Sequence, residues 1–522
     1  MQSVARRILW VDDEVALLEP HLLFLRQRGY QVDTTTNGDD ALALIRSQAY
    51  DLVLLDEQMP GRRGLEVLEA LRREAPYLRA VMVTKSEDDR TLREAVGRRV
   101  DEYLIKPASP LQVLSVVTRL LEGERLQQQR VAQDFAARFP VLSRMRDEAA
   151  GWEDYAALYS ELVDWELRLE EAGEAGLSDS VLALMGEVRR EFGAFIVREY
   201  GGWTRPGVGP GEGRPVLSTD VVAERLVPLL DGGGGVLFMV IDCMRLDQWR
   251  VLLPLLANDF ELEESLYCGI LPSATPYARN ALFSGWFPDE IAARYPGWWG
   301  TDEGSLNAFE DELLRVQLRR LTGGDVAVHY EKVFSDAEAD GLLGRVRGEL
   351  RRGSVVSVVF NFVDQLTHGR SESSVLLEVA RDAPALRGLT RQWFERSGAL
   401  KLLREAALQR VPVVLTTDHG SILCERPVTV YARRDVTHNL RYKYGQGLRA
   451  AEPGSVFLVE DGRVLRFPRG RMATNYVLAL DDTFFVYPTK LREYQARYRG
   501  SFLHGGVTPE ELILPVAVLT PR

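Results

Sequence analysis

The sequence predicts a multidomain α/β protein: a parallel sheet at the amino end, a small helical bundle, and a larger sheet of alternating strands and helices. Three observations predict this. Short apolar runs alternate with amphipathic stretches over residues 1–122, the apolar period becomes helical over 123–200, and strand–helix alternation returns over 216–522. With roughly 150 residues per domain, a chain of 522 should build about three cores.

In the first segment the runs Ile8-Leu9-Trp10-Val11, Leu52-Val53-Leu54-Leu55, Ala80-Val81-Met82-Val83 and Tyr103-Leu104-Ile105 read as buried parallel strands. In the second, Trp152, Tyr155, Tyr159, Leu162, Trp165 and Leu169 fall on one helical face, and Val181, Leu184, Val188, Phe192 and Phe195 on another. Residues 201–215 hold six glycines and three prolines, too much backbone freedom and too few ladder donors for a regular element, and read as a linker. Beyond it, the runs Val236 to Ile241, Val355 to Phe360 and Val411 to Leu415 are the strongest strands of the second sheet. No fixed-period repeat is present, which excludes solenoids and propellers.

Composition narrows the function. The chain is 46% hydrophobic and 27% charged, and no apolar run approaches the roughly 18 residues of a membrane span. The first residues pass at once into Val11-Asp12-Asp13-Glu14 with no signal-peptide core, and Cys243, Cys268 and Cys424 are widely spaced, so a cytoplasmic protein with free thiols is expected. A formal charge of -12 argues against sequence-specific binding of duplex DNA, while leaving room for a local basic groove.

Asp12 and Asp13, Asp56, Thr84 and Lys106 each end or follow one of the first strands. The carboxyl edge of an open parallel sheet is where ligands bind, so these positions should converge on one pocket. Three carboxylates there need a cation, and a hard oxygen cluster suits Mg²⁺. Asp56 can then accept a phosphoryl group while Lys106 and Mg²⁺ neutralise its oxygens and Thr84 donates to it. Any one of these aspartates alone reads better as a helix cap or a solvated loop residue. As a set, with Met59-Pro60-Gly61 and Lys106-Pro107, they resemble the receiver domain of two-component response regulators over residues 1–122. The resemblance implies a flavodoxin-like fold, Asp56 as phosphoacceptor, Asp12 and Asp13 as Mg²⁺ ligands with it, Tyr103 as the aromatic that moves with Thr84, and a sensor histidine kinase as partner.

The carboxyl-terminal segment carries five of the six histidines. Asp418-His419 follows one strand, Asp364-x-x-x-His368 follows a strand read as ending Phe360-Asn361-Phe362-Val363, Asp242 follows another, and His504-Gly505-Gly506 lies in a late loop. Mixed Asp and His ligands on two centres favour Zn²⁺, with Mn²⁺ as the alternative. Each alone reads as a capped turn or a surface histidine. Together with Thr275, they occur in the order of the alkaline phosphatase superfamily and look most like its phosphodiesterase branch, whose nucleophile region Thr275-Pro276 to Gly285-Trp286-Phe287-Pro288 resembles. That resemblance implies that Asp242, Asp418 and His419 hold one metal, that Asp364, His368 and His504 hold the other, and that Thr275 is the nucleophile between them, touching metal; Ser273 is the fallback.

A receiver domain (1–122), a helical segment (123–200), the linker 201–215 and an alkaline-phosphatase-like domain (216–522) resemble the PorX-type response regulators, whose effector is a PglZ domain and which are tied to type IX secretion. This implies a two-zinc phosphodiesterase acting on nucleotide or oligonucleotide diesters, a phosphorylation-dependent homodimer, and a sigma factor or secretion-system component downstream. The alternative is a non-catalytic signalling module whose phosphorylation exposes a protein-binding surface. Three other features take structural readings: Arg245 as a partner of Asp247, Asn280 as a solvent-facing or turn-capping residue, and His438-Asn439-Leu440-Arg441-Tyr442-Lys443-Tyr444 as an edge strand with a basic face.

Overall fold

The computed structural model describes residues 6–75, 77–85, 100–211, 213–299, 307–351, 354–369, 374–431, 439–468, 474–488 and 491–522. The chain forms two compact units, Met1–Asp134 and Phe135–Arg522. Among the described residues no helix is long and apolar enough to cross a membrane.

The first unit is built on β1 (Arg7–Val11), β2 (Gln31–Thr35), β3 (Leu52–Asp56), β4 (Arg79–Thr84) and β5 (Glu102–Ile105), all parallel in the order β2-β1-β3-β4-β5. Strand residues alternate between two cores, as the two-residue period requires. Leu9, Val11, Val53, Leu55, Ala80 and Met82 pack with Leu65, Leu68 and Leu71, while Ile8, Trp10, Leu52, Leu54, Val81 and Val83 pack with Leu22, Val113 and Val117. The chain reverses its strand order at β1, which opens a crevice between the carboxyl ends of β1 and β3.

The expected boundary at residue 122 is not a break in the backbone. One helix, Pro110–Glu148, runs through it, because the Leu-, Gln- and Arg-rich stretch after Thr118 contains strong helix formers and a single Gly123 costs only about 1 kcal/mol. In the second unit its continuation packs with the helices Trp152–Ala172 and Ala175–Trp203, where the predicted faces meet: Phe135 lies 5.3 Å from Trp165 and Tyr155 lies 4.9 Å from Phe195, centroid to centroid. Gly173, in the left-handed region at φ 72°, ends one helix and lets the chain turn into the next. The last helix extends into the expected linker as far as Trp203, whose ring is held by Phe195 and Tyr200, so the irregular stretch is shorter than its glycine content suggests.

The large sheet of this unit contains β6 (Val236–Ile241), β7 (Phe260–Cys268), β8 (Val328–Val333), β9 (Val355–Phe360), β10 (Val413–Thr416) and a C-terminal strand, Ile513–Pro521. Its order is β7, C-terminal strand, β10, β6, β9, β8, with β10-β6-β9-β8 parallel and the C-terminal strand antiparallel to both its neighbours. The carboxyl ends of β10, β6 and β9 therefore stand side by side. The helices Trp152–Ala172 and Ala383–Arg396 meet this layer through a buried charge network: Arg387 Nη1 donates to Glu166 Oε1 (2.8 Å) and to Asp247 Oδ2 (2.9 Å), and Arg245 holds the same Asp247 through Nε (2.8 Å) and Nη2 (2.7 Å). Burial opposes ionisation of Asp247, but the two guanidiniums outweigh it and bring its carboxyl down to about 2. Arg245 thus has the structural role expected of it. All three cysteines are buried and free.

Candidate metal centres and phosphoacceptor site

In the first unit Asp12, Asp13 and Asp56 bring carboxylate oxygens within 4.8 Å of one another. Asp12 directly follows β1, Asp56 is the last residue of β3 and Thr84 the last of β4, so parallel pairing alone gathers them. Lys106, just past β5, donates through Nζ to Asp12 Oδ2 (2.6 Å) and Asp56 Oδ2 (2.7 Å). Burial works against its charge, yet the two carboxylates hold its pKa above the ordinary lysine value. Tyr103 is half-buried on β5, beside the strand that Thr84 ends. Asp12, Asp13, Asp56, Thr84 and Lys106 are at this edge, with Tyr103 paired to Met82 inside the sheet, and the oxygen-only cluster fits Mg²⁺.

The second unit gathers two further triads, Asp242 with Asp418 and His419, and Asp364 with His368 and His504; each has ligand atoms within 4.8 Å. Asp242 and the Thr417-Asp418-His419 run leave the carboxyl ends of β6 and β10. The third contribution differs from the sequence expectation. β9 stops at Phe360, and Asp364 and His368 lie on a helix, Phe362–Gly369. Their four-residue spacing sets them on one helical face, with His368 Nε2 3.3 Å from Asp364 Oδ1. His504 follows the short strand Ser501–Leu503, and its ring stacks on His419 at 4.3 Å, which places the triads against each other. Gly505 has φ 116°, and a Cβ there would meet Tyr442 Cδ1 at 2.6 Å; only glycine lets this loop approach so closely.

The carboxylates show what the triads lack. Asp242 Oδ2 accepts from Asn361 Nδ2 (2.9 Å) and from Arg279, while Oδ1 is buried without a hydrogen bond. Asp418 Oδ1 accepts from the backbone N–H of Cys243 (3.2 Å) and of His419 (3.0 Å), while Oδ2 is buried without one. Cys243 reaches it by taking a left-handed φ of 63°. Asp364 Oδ1 is buried too, with the His368 imidazole 3.3 Å away. These inner oxygens face Nε2 atoms: His419 Nε2 is 3.7 Å from both Asp242 Oδ1 and Asp418 Oδ2, and His504 Nε2 is 3.8 Å from Asp364 Oδ1. Buried acceptors are rarely left unsatisfied, so the donor sets fit two divalent cations, and mixed carboxylate and imidazole suits Zn²⁺ or Mn²⁺. The charge states agree. Burial drives Asp242 well above the usual carboxylate range despite Arg279, burial and the other two imidazoles drive His504 well below the usual histidine value, and His368 and His504 overcome burial to hold Asp364 low. A divalent cation held by these residues would offset the cost of ionising them.

Thr275 opens the helix Thr275–Ser284, with its Oγ1 2.9 Å from His419 Nε2. Ser273, the fallback nucleophile, is fully buried and engaged: its Oγ donates to Gly506 O (2.8 Å) and accepts from Gly505 N–H (3.1 Å). Asn280 does not face solvent. It is buried and donates to Pro276 O (2.9 Å), since the face of its helix opposite Thr275 is also covered. The segment singled out around residues 438–444 also departs from expectation; His438 itself lies outside the described residues. Tyr442–Gly445 is an edge strand, but it presents no basic face, because Arg441 and Lys443 are drawn inward, Arg441 to the buried Glu511 (Nη2 to Oε2, 2.7 Å) and Lys443 to Asn439 O (2.8 Å). Sequence reasoning missed Arg279, Asn361, Glu310 and Glu511; for Arg279 the available signal was its place one turn after Thr275.

The profile of the BREX system PglZ alkaline phosphatase-like domain matches residues 221–519, more than half of the chain. The chain belongs to this family. Ahead of the PglZ domain, the response regulator receiver domain profile matches residues 8–118 and the PorX response regulator linker domain profile matches 125–204, which gives the whole chain a PorX-type architecture. It is 31% identical over 182 residues to the alginate biosynthesis transcriptional regulatory protein AlgB of Pseudomonas aeruginosa, covering 35% of this chain and 37% of that protein. It is 34% identical over 120 residues to the transcriptional regulatory protein ResD of Bacillus subtilis, covering 23% of this chain and 50% of that one. The chain thus spans half or less of the length of these curated relatives. Among solved structures, it is similar to a CheY-like receiver domain protein from Methanospirillum hungatei (28% identity, TM-score 0.23, covering 23% of this chain and 96% of that one). It is also similar to TrrA from Thermotoga maritima in complex with Mg²⁺-BeF (35% identity, TM-score 0.21, covering 22% and 99%). A receiver domain, a helical linker and an alkaline phosphatase-like effector domain are therefore joined in one polypeptide.

Proposed function

We propose that this chain is a response regulator in which phosphorylation of Asp56 by a sensor histidine kinase controls a two-metal phosphodiesterase. The observation that carries the catalytic half is the pair of buried inner oxygens on Asp242 and Asp418 that make no hydrogen bond, facing His419 beside the Thr275 hydroxyl, with the Asp364–His368–His504 cluster against them. Bound divalent cations, zinc by preference, supply the Lewis-acid charge for displacement at phosphorus. The chain's own groups do the rest. Thr275 Oγ1 lies 2.9 Å from His419 Nε2, which sets the hydroxyl against the ligand groups, the helix Thr275–Ser284 directs its amino end toward developing negative charge, and the carboxylate and imidazole arms fix the geometry in advance. Thr275 Oγ1 gives up its proton as it bonds to phosphorus, the leaving oxygen departs with the electron pair of the broken bond and takes up a proton through solvent, and water then cleaves the threonine ester, its hydroxyl going to phosphorus and its proton back to Oγ1. Nucleotide or oligonucleotide diesters are the proposed substrates, and regulation of type IX secretion, through a sigma factor or secretion-system component, the proposed setting.

Metal analysis together with a panel of chromogenic phosphate diesters and monoesters tests this reading. Purified protein is expected to hold close to two transition-metal equivalents and to prefer diesters, and His419→Ala or His368→Ala should each lower the metal count. Fewer than one ion at saturation, with no diester turnover, would sink it.

For the receiver half, the exposed apolar side chains Ile105 and Leu111 border the Lys106 edge, the kind of surface that becomes self-complementary in one state only. Beryllofluoride with Mg²⁺ is expected to shift the full chain from monomer toward dimer in sedimentation, and Asp56→Ala to remove the shift. Equal mass with and without the mimic in the unsubstituted protein rules out signalling by dimerisation.

A further inference from the structure

Arg279 has entered so far only as a partner of Asp242, yet it sits at the centre of a buried charge network beside the metal ligands. Its side chain is almost fully enclosed, Nε donates to Glu310 Oε1 (2.6 Å), and Nη1 donates to Asp242 Oδ2 and lies 3.9 Å from Asp418 Oδ2. Glu310 is itself inaccessible and anchored by Lys332 Nζ (3.0 Å), Asn307 Nδ2 (2.7 Å) and the Tyr330 hydroxyl. Asn307 also reaches the backbone oxygen of Thr275 (3.3 Å), so the same anchor touches the residue proposed as nucleophile.

A planar guanidinium that spans two carboxylates fixes both in direction as well as in charge. Here it occupies the outer oxygen of Asp242 and leaves the inner one turned toward His419 Nε2. Asp418 is fixed in the same sense by two backbone N–H groups. The other triad is built differently: Asp364 and His368 ride on a helix of eight residues, and the His368 side chain is 53% exposed. One centre is held rigid before any cation arrives, and the other keeps an exposed arm.

We propose that Arg279 is a positioning residue for the Asp242–Asp418–His419 centre, and that its bridge to Glu310 makes this centre the tighter of the two. The inference rests on the metal-site reading above. Outer partners of metal ligands change affinity by roughly 10–100-fold when removed, which sets the expected effect. Zinc alone, titrated into metal-free full-length protein against a chelating dye, is the probe. The unsubstituted chain is expected to bind in two steps. Arg279→Lys keeps the charge but cannot span both carboxylates, and Arg279→Gln keeps much of the volume without charge. Both should weaken the tight step by about 10–100-fold and leave the weak step unchanged, with the lysine variant unfolding at the same temperature as the parent when metal-free. If the glutamine variant fails to fold, the lysine variant decides. Unchanged binding in the lysine variant, or equal weakening of both steps, overturns the proposal. Absence of zinc binding by the unsubstituted chain instead removes the metal-site reading, and this inference with it.

Discussion

Thr275→Ala is expected to lower diester turnover by about 10³-fold or more while both metal equivalents remain. The substitution deletes only Oγ1 and a methyl group at the first position of the helix Thr275–Ser284, where an alanine is tolerated, and leaves all six Asp and His ligand side chains in place, with only the Oγ1 contact to His419 Nε2 lost. Loss of turnover without loss of metal separates a nucleophile from a residue that merely supports a ligand. The companion variant is Ser273→Ala. Its hydroxyl bridges the loops at Gly505 and Gly506, so its removal should cost stability and metal affinity at His504 before it costs chemistry. Turnover retained in Thr275→Ala would mean that water attacks phosphorus directly.

Both candidate sites are legible in the sequence for one physical reason. Most of their residues follow a short, continuous apolar run, and parallel pairing brings the ends of such runs together whatever the chain does between them. Asp12, Asp56, Thr84 and Lys106 fall out of that rule in the first unit, and Asp242 and Asp418 in the second. Asp364 and His368 stand together with His504, but on a helix where the sequence reads the end of a strand. Asn361-Phe362-Val363 continues an apolar run, and nothing in its composition distinguishes a longer strand from the start of a helix.

The supporting charges were not legible. Glu310, Asp311 and Glu312 form an acidic first turn that reads as a solvated, dipole-stabilising cluster, and Glu312 is indeed exposed. Glu310 alone is turned inward, and what turns it inward is Arg279, Lys332 and Tyr330, residues from two other elements. No local pattern encodes such a convergence. The same holds at residue 122, where the receiver core ends but its last helix does not, because helix propensity is local and packing is not.

The Arg441–Glu511 pair is the second place where a large effect is expected. Both side chains are fully buried, with Arg441 Nε and Nη2 on Glu511 Oε1 (3.1 Å) and Oε2 (2.7 Å). Glu511 also accepts from Gly506 N–H (2.8 Å), Thr508 Oγ1 (2.9 Å) and Ser273 Oγ (3.3 Å), so it ties the loop that carries His504 to the turn that precedes Thr275. Glu511→Met leaves a buried guanidinium with backbone carbonyls of Ala479, Asp481 and Thr483 but no countercharge and should cost about 3–5 kcal/mol in denaturant unfolding, and Arg441→Met a comparable amount. The double substitution removes both charges, and buried ion pairs replaced by apolar side chains are often neutral, so part of that loss should return, the remainder reflecting the Asp481 and Thr483 carbonyls and the Gly506 N–H that lose their partners. Activity should not return with it. The double variant still lacks the oxygens that hold Gly506 and Ser273, and His504 and Thr275 lose their fixed separation. Stability partly restored with turnover still depressed identifies Glu511 as a clamp on the site; recovery of both together would reduce it to a fold-stabilising pair.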